Sequence, residues 1–201
     1  IPEKGPYLDA YNKASEFIQQ RKKMSDTGNA ESARQTSKDA QGEMQKLLSL
    51  VSERQTAQKA KETMAAAKTQ ARQKGNLEKN LLFRLASYEE SNADQAFAKN
   101  DYSGAKILYR LLERIFPLCP QCANDKGCVD TLQLFVAGLK KEVERLPEGS
   151  VDQWLNEYAG QIENQAAAFL EKREHENAGG AYIRAAFLYE KILEPASPAG
   201  K

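Results

Sequence analysis

Histidine is the first scarcity in this chain: there is one, His175, in 201 residues. A single imidazole leaves no pair for His-based acid–base work and no His-rich metal centre. Proline is the second. The seven prolines are Pro2, Pro6, Pro117, Pro120, Pro147, Pro195 and Pro198, so none lies between Tyr7 and Phe116. The strongest helix breaker is absent from more than half the chain. Val, Ile and Thr are sparse beside Ala, Lys, Gln, Glu and Leu, and no stretch alternates apolar and polar residues as a half-buried strand would. No run of eighteen apolar residues exists, which excludes a membrane-spanning helix. There is no Gly-rich phosphate loop, no Gly-x-Ser-x-Gly, no His-Glu-x-x-His, and no paired Glu-x-x-His of the kind that builds a di-iron bundle. The formal net charge is +1, too small to attract nucleic acid or an anionic membrane. Residues 1–79 carry 15 Lys/Arg against 10 Asp/Glu, and residues 80–201 carry 14 against 18. That asymmetry permits head-to-tail contact between molecules. The opening Ile1-Pro2-Glu3-Lys4-Gly5-Pro6 shows no signal peptide and reads as a trimmed or mature end, so it leaves the compartment open.

What is present predicts an all-α protein. A first helix is expected over about Tyr7–Met24, followed by a turn at Ser25–Asn29. A long helical stretch runs from about Ala30 to Lys74, with Gly75-Asn76 as its stop. Its apolar positions are modest (Met44, Leu47, Leu48, Val51, Ala57, Ala60, Met64), and no aromatic residue lies between Ile18 and Leu82. It reads as one long helix of a hairpin or coiled-coil-like arm, or as two helices broken near Glu53–Thr56. At Leu77 the composition changes and large apolar residues become dense. Helices are expected over about Leu77–Lys99, Tyr102–Ile115 with Asp101 as N-cap, Val129–Leu146, a span from Ser150 or Asp152 to about Glu176, and Ala181–Leu193 after a break at Gly179-Gly180. The organisation expected is an N-terminal arm, 1–76, a helical domain, 77–195, and a disordered tail, 196–201. Trp154, with Val151, Leu155 and Tyr158 at helical spacing, reads as a core anchor.

Two segments carry a family resemblance. In the first, Tyr102, Ala105, Tyr109 and Pro117 follow the turn Asn100-Asp101, and Ala93 and Ala96 lie in the helix before it. In the second, Tyr182, Ala185 and Tyr189 repeat the first three offsets. The pattern resembles the tetratricopeptide (TPR) motif, in which small residues let paired helices approach and aromatics fill the wedge between them. The separation is 80 residues, not a multiple of 34, and Arg173 stands where the second copy should have a small residue. The resemblance, best over 88–117 and 180–193, implies antiparallel helix pairs and a concave surface that binds a peptide or protein. The matching inner positions are Ser87, Glu90, Ser91, Asp94 and Phe97. Their acidity argues against a carboxylate clamp and suits a basic or amide-rich ligand. The competing readings are a solvated charged face and a generic bundle whose tyrosines fill the core.

All three cysteines fall within ten residues, Cys119-Pro120-Gln121-Cys122-Ala123-Asn124-Asp125-Lys126-Gly127-Cys128. A disulfide stapling this loop, Cys119–Cys128 or Cys122–Cys128, suits a loop with little core, and favours a periplasmic or otherwise exported setting. A zinc site would use Cys119, Cys122 and Cys128 but lacks a local fourth ligand. A redox dithiol at Cys119 and Cys122 lacks the sheet beside which such motifs sit. These features together predict a non-enzymatic scaffold or adaptor with no cofactor, which binds an unidentified protein or peptide and self-associates through its N-terminal arm. The alternative is a small metal-binding or thiol-redox protein centred on the cysteines. A third reading, a component of an envelope or secretion assembly, rests on architecture alone.

Overall fold

The computed structural model describes residues 6–26 and 30–194 and is all-α, with no strand among those residues. The tail expected to be disordered, 196–201, and most of the turn expected at Ser25–Asn29 lie outside the described residues. Seven α-helices follow in order: α1 Pro6–Asp26, α2 Ala30–Gln73, α3 Leu81–Ala98, α4 Tyr102–Ile115, α5 Asp125–Glu144, α6 Gln153–Glu171 and α7 His175–Leu193. A short 3₁₀ turn, Phe116–Gln121, joins α4 to α5.

α2 is one helix of 44 residues, continuous across Glu53–Thr56. It carries two jobs along its length. Its first part packs against α1, with Thr36 Oγ1 donating to Met24 Sδ at 3.3 Å and Lys13 close enough to Glu43 to act on its charge, so the two helices run in opposite directions. Its second part packs on α4 and the 3₁₀ turn. Ala60, Met64 and Ala71 enter the same core as Leu82, Leu112, Ile115, Leu132 and Tyr189. The core thus begins before the compositional change at Leu77.

Several boundaries differ from the sequence reading, each for a local reason. α3 starts at Leu81, not Leu77, because Asn80 caps it: Asn80 Oδ1 accepts the Phe83 N–H at 2.9 Å. α5 starts four residues before Val129, capped by Asn124 through the Gly127 N–H. Pro117 and Pro120 do not leave an open loop, since the chain passes directly into the 3₁₀ turn that holds both. The largest correction concerns Gly179-Gly180. They do not break the chain: α6 ends at Glu171 and α7 begins at His175. An added Cβ on Gly179 would lie 2.6 Å from Leu85 Cδ1 of α3 and 3.7 Å from Leu132 Cδ1 of α5. Gly179 lets α7 approach its neighbours closely.

The turns that close α3–α4 and α6–α7 share one geometry. Asn100 and Arg173 both take positive φ, 65° and 61°. In the first turn Asn100 N donates to Phe97 O and Asp101 N to Ala96 O; in the second Arg173 N donates to Leu170 O and Glu174 N to Phe169 O. These are Schellman-type closures. By these turns the two hairpins are 73 residues apart, so Tyr182 lies two helical turns farther from its turn than Tyr102 does.

Candidate functional site

The three cysteines sit where α3, the 3₁₀ turn and α5 meet. Cys122 and Cys128 are disulfide-bonded, with Cα atoms 5.0 Å apart, which decides between the two pairings the sequence allowed. Cys119 is free and fully buried, and burial pushes its thiol up to about 12. It is therefore a protonated core side chain, with Sγ directed at the Ile115 carbonyl. The bond removes two of the three thiols that a zinc reading needs. Among the described residues no group of three His, Cys, Asp or Glu could hold a metal ion. The dithiol reading fails for the same reason, since Cys122 is bonded to Cys128 and not poised beside Cys119.

A residue that sequence reasoning missed organises this junction. Besides capping α3, Asn80 donates through Nδ2 to Cys119 O at 2.9 Å and Cys122 O at 3.4 Å. One amide therefore ties the start of α3 to the cysteine turn. A cavity of about 300 Å³ opens beside it, lined by Lys79, Asn80, Pro120, Cys122, Asn124 and Cys128. Cleaving the disulfide frees a closed loop of seven residues, and about 2 kcal/mol of stability should go with it in the chain-entropy model. Urea unfolding with and without a dithiol reductant measures this.

The face of α3 expected to line a peptide groove is turned toward α2. Lys68 of α2 donates to Glu90, and Lys61 pairs with Asp94 at 2.8 Å. Phe97 meets Tyr102 edge-on at 5.1 Å and packs with Leu47, Leu50 and Ala57 of α2. Ser87 Oγ is buried and makes no hydrogen bond. Ser91 is exposed on the same helix. Glu90 is largely covered by its lysine, while Asp94 keeps about half of its side chain in water although Lys61 pairs with it. Both receive lysines from a helix that precedes them in the chain.

Asp94 also accepts a hydrogen bond from Tyr109 Oη at 2.6 Å. The arrangement is built a second time, because Lys140 of α5 reaches Glu163 of α6 at 3.4 Å and Tyr189 of α7 donates to the same carboxylate. Each unit joins a lysine, a carboxylate and a buried tyrosine from three successive helices. Burial and the adjoining carboxylate both raise the two tyrosines, which stay protonated donors. Burial would raise the Asp94 carboxyl, but hydrogen bonds from Lys61 and Tyr109 outweigh it and hold it below the ordinary carboxylate value. A depressed carboxylate contributes stability that is present above its unfolded pKa and lost as pH falls through its folded one. Asp94→Asn should therefore destabilise the protein at neutral pH, and the gap to the parent should narrow as pH falls below about 4. Chemical denaturation across that range tests it.

A second ionic cluster locks α4 to α7. Lys106, Arg110 and Arg114 line α4 at four-residue intervals; Glu194 pairs with the first two at 2.6 and 2.7 Å, and Arg114 reaches Glu190 at 2.5 Å and Glu142 at 3.0 Å. Burial raises the Glu190 carboxyl in spite of Arg114. These charges are committed to helix packing.

The surface holds a different feature. Trp154 is not a core anchor: it is 68% exposed and stacked on Tyr158, ring centroids 5.5 Å apart and planes 17° from parallel. The stripe that α6 buries is Ala159, Ile162 and Ala166, and Trp154 and Tyr158 stand one position off its continuation. The helix is started by Asp152, which accepts the Leu155 N–H at 3.0 Å. Trp154 is the only tryptophan in the chain. Asp152 and Glu157 flank the pair, both exposed.

The fold and these clusters define an all-α protein with a disulfide at one inter-helix junction. No family model, curated protein or solved structure matches the chain. No helix among the described residues is long and apolar enough to cross a membrane.

Proposed function

We propose that this chain is a non-enzymatic helical scaffold that binds a protein or peptide. The observation that carries the reading is the Trp154–Tyr158 pair. Two large aromatic rings stacked in water, with most of the indole uncovered, forgo the burial such side chains bring to a core. Tryptophan and tyrosine are the residues that dominate protein interfaces when a partner covers them. The surrounding Asp152 and Glu157 suit a partner with basic side chains. The TPR-like reading of the two hairpins belongs to this proposal. Its support is the shared turn geometry and the burial of Tyr102, Ala105, Tyr109, Tyr182, Ala185 and Tyr189. The ligand surface it would present is the aromatic pair on α6, because Glu90 and Asp94 on α3 are already paired with lysines of α2. An exported setting is part of the same reading and is favoured by the Cys122–Cys128 bond.

The test is quantitative affinity capture by the parent chain and by Trp154→Ala. A specific partner retained by the parent and reduced about tenfold or more by the substitution supports the proposal. Equal capture by both defeats it.

A further inference from the structure

The two helices at the start of the chain, α1 and α2, leave several large apolar side chains in water. Five of the large apolar side chains left in water lie on them: Tyr11, Ile18, Met44, Leu48 and Val51, the last three at the alternating four- and three-residue spacing of a bundle seam. Leu48 is 62% exposed and Ile18 53%. The contact between α1 and α2 is extensive but built on small side chains. Its buried residues are small, Ala10, Ala14 and Thr36, and the central core holds no residue before Ala60.

The five side chains share one side of the helix pair, and elementary helix geometry shows why. Ala10 on α1 is buried, and Phe17 on α1 and Glu43, Leu47 and Leu50 on α2 are partly buried. Each exposed apolar residue is the next residue in the chain, about 100° farther around its helix. Because α1 and α2 run in opposite directions, that rotation carries both sets to the same side of the pair. Tyr11 and Ile18 therefore lie level with the stretch of α2 that holds Met44 and Leu48, as the Lys13–Glu43 and Met24–Thr36 proximities fix.

We propose that this face is a self-association surface on which a second copy of the chain docks, the two helix pairs forming an antiparallel four-helix bundle about a two-fold axis. Three observations select a second copy as the occupant. Residues 6–26 carry four basic and three acidic side chains, and residues 30–54 carry four of each, so each copy brings a net charge of only +1 and the two meet with little repulsion. The apolar positions have the seam spacing that pairs helices with helices. A face about 30 Å long and about 20 Å wide offers roughly 600 Å² per chain, roughly 1,200 Å² in all, the lower bound of specific interfaces. The inference stands apart from the proposed partner site, since Trp154 lies on α6, outside both helices.

Sedimentation velocity over a micromolar concentration series tests it, with far-UV circular dichroism on the same samples. The parent chain should sediment as a dimer. Leu48→Lys should weaken association about 100-fold, since each substitution counts twice in a two-fold interface, and should leave helix content unchanged because Leu48 faces water in the single chain. Ile18→Glu, on the other helix of the same face, should do the same, and Trp154→Ala should leave the dimer intact. A parent chain that stays monomeric throughout overturns the proposal, as does a dimer that survives both substitutions with helicity preserved.

Discussion

Phe116→Ala should cost about 3–5 kcal/mol, the largest single loss expected in this molecule. Phe116 is fully buried where α4 passes into the 3₁₀ turn, with its ring 5.6 Å from that of Phe83 on α3. Lys68 of α2 lies over both rings, 5.4 Å from Phe116 and 5.6 Å from Phe83. Removing the ring opens a cavity where α2, α3 and α4 meet, and it leaves the ammonium without one of its two aromatic faces. The neighbouring Cys119 turn cannot close the gap, because the Cys122–Cys128 bond and Asn80 fix its backbone. The urea midpoint should fall with little change in slope. A loss below about 1 kcal/mol would mean that the junction is loosely packed.

The second large effect separates two adjacent glycines. Gly179→Val should destabilise by about 2–3 kcal/mol, while Gly180→Ala should stabilise by about 0.5–1 kcal/mol. Both lie inside α7, where alanine is the better helix former. A Cβ at Gly180 meets nothing within 4 Å, so only the propensity gain is felt. A Cβ at Gly179 meets Leu85 Cδ1 at 2.6 Å, and the γ-carbons of valine must also displace Leu132 and Val129. If instead the pair were a hinge between two helices, both substitutions would act in the same direction. Thermal or urea unfolding of the two variants decides the matter.

That contrast shows where the sequence was legible and where it was not. The all-α class followed from a proline-free stretch and the shortage of β-branched residues, and Asp101 was visible as a cap because a polar residue stood directly before an apolar-periodic run. Gly179-Gly180 was misread because a glycine that ends a helix and one that admits a neighbour look alike until Leu85 is seen beside it. The true turn at Lys172–Glu174 gave no signal, since Arg173 is not a residue associated with positive φ. Asn80 was hidden by the apolar run that follows it, which made Leu77 look like the first helical residue. Of the candidate site, the cysteine pairing was legible only as two alternatives, because spacing constrains a loop but not which thiols face each other. The role of Glu90 and Asp94 depended on lysines 22 and 33 positions earlier, a pairing that only the path of α2 brings about. Trp154 was assigned to the core from its spacing to Leu155 and Tyr158. Yet the buried stripe runs through Ala159, Ile162 and Ala166, and an offset of one residue is enough to turn an aromatic pair into water.

The most direct test of the scaffold account is therefore the intrinsic fluorescence of Trp154, free of interference because no other tryptophan exists. For the native chain the account predicts emission close to that of the urea-unfolded protein and ready quenching by acrylamide, with a blue shift when a captured partner is added back. A blue-shifted, acrylamide-protected signal from the isolated monomeric chain would return Trp154 to the core and remove the surface on which the proposed function rests.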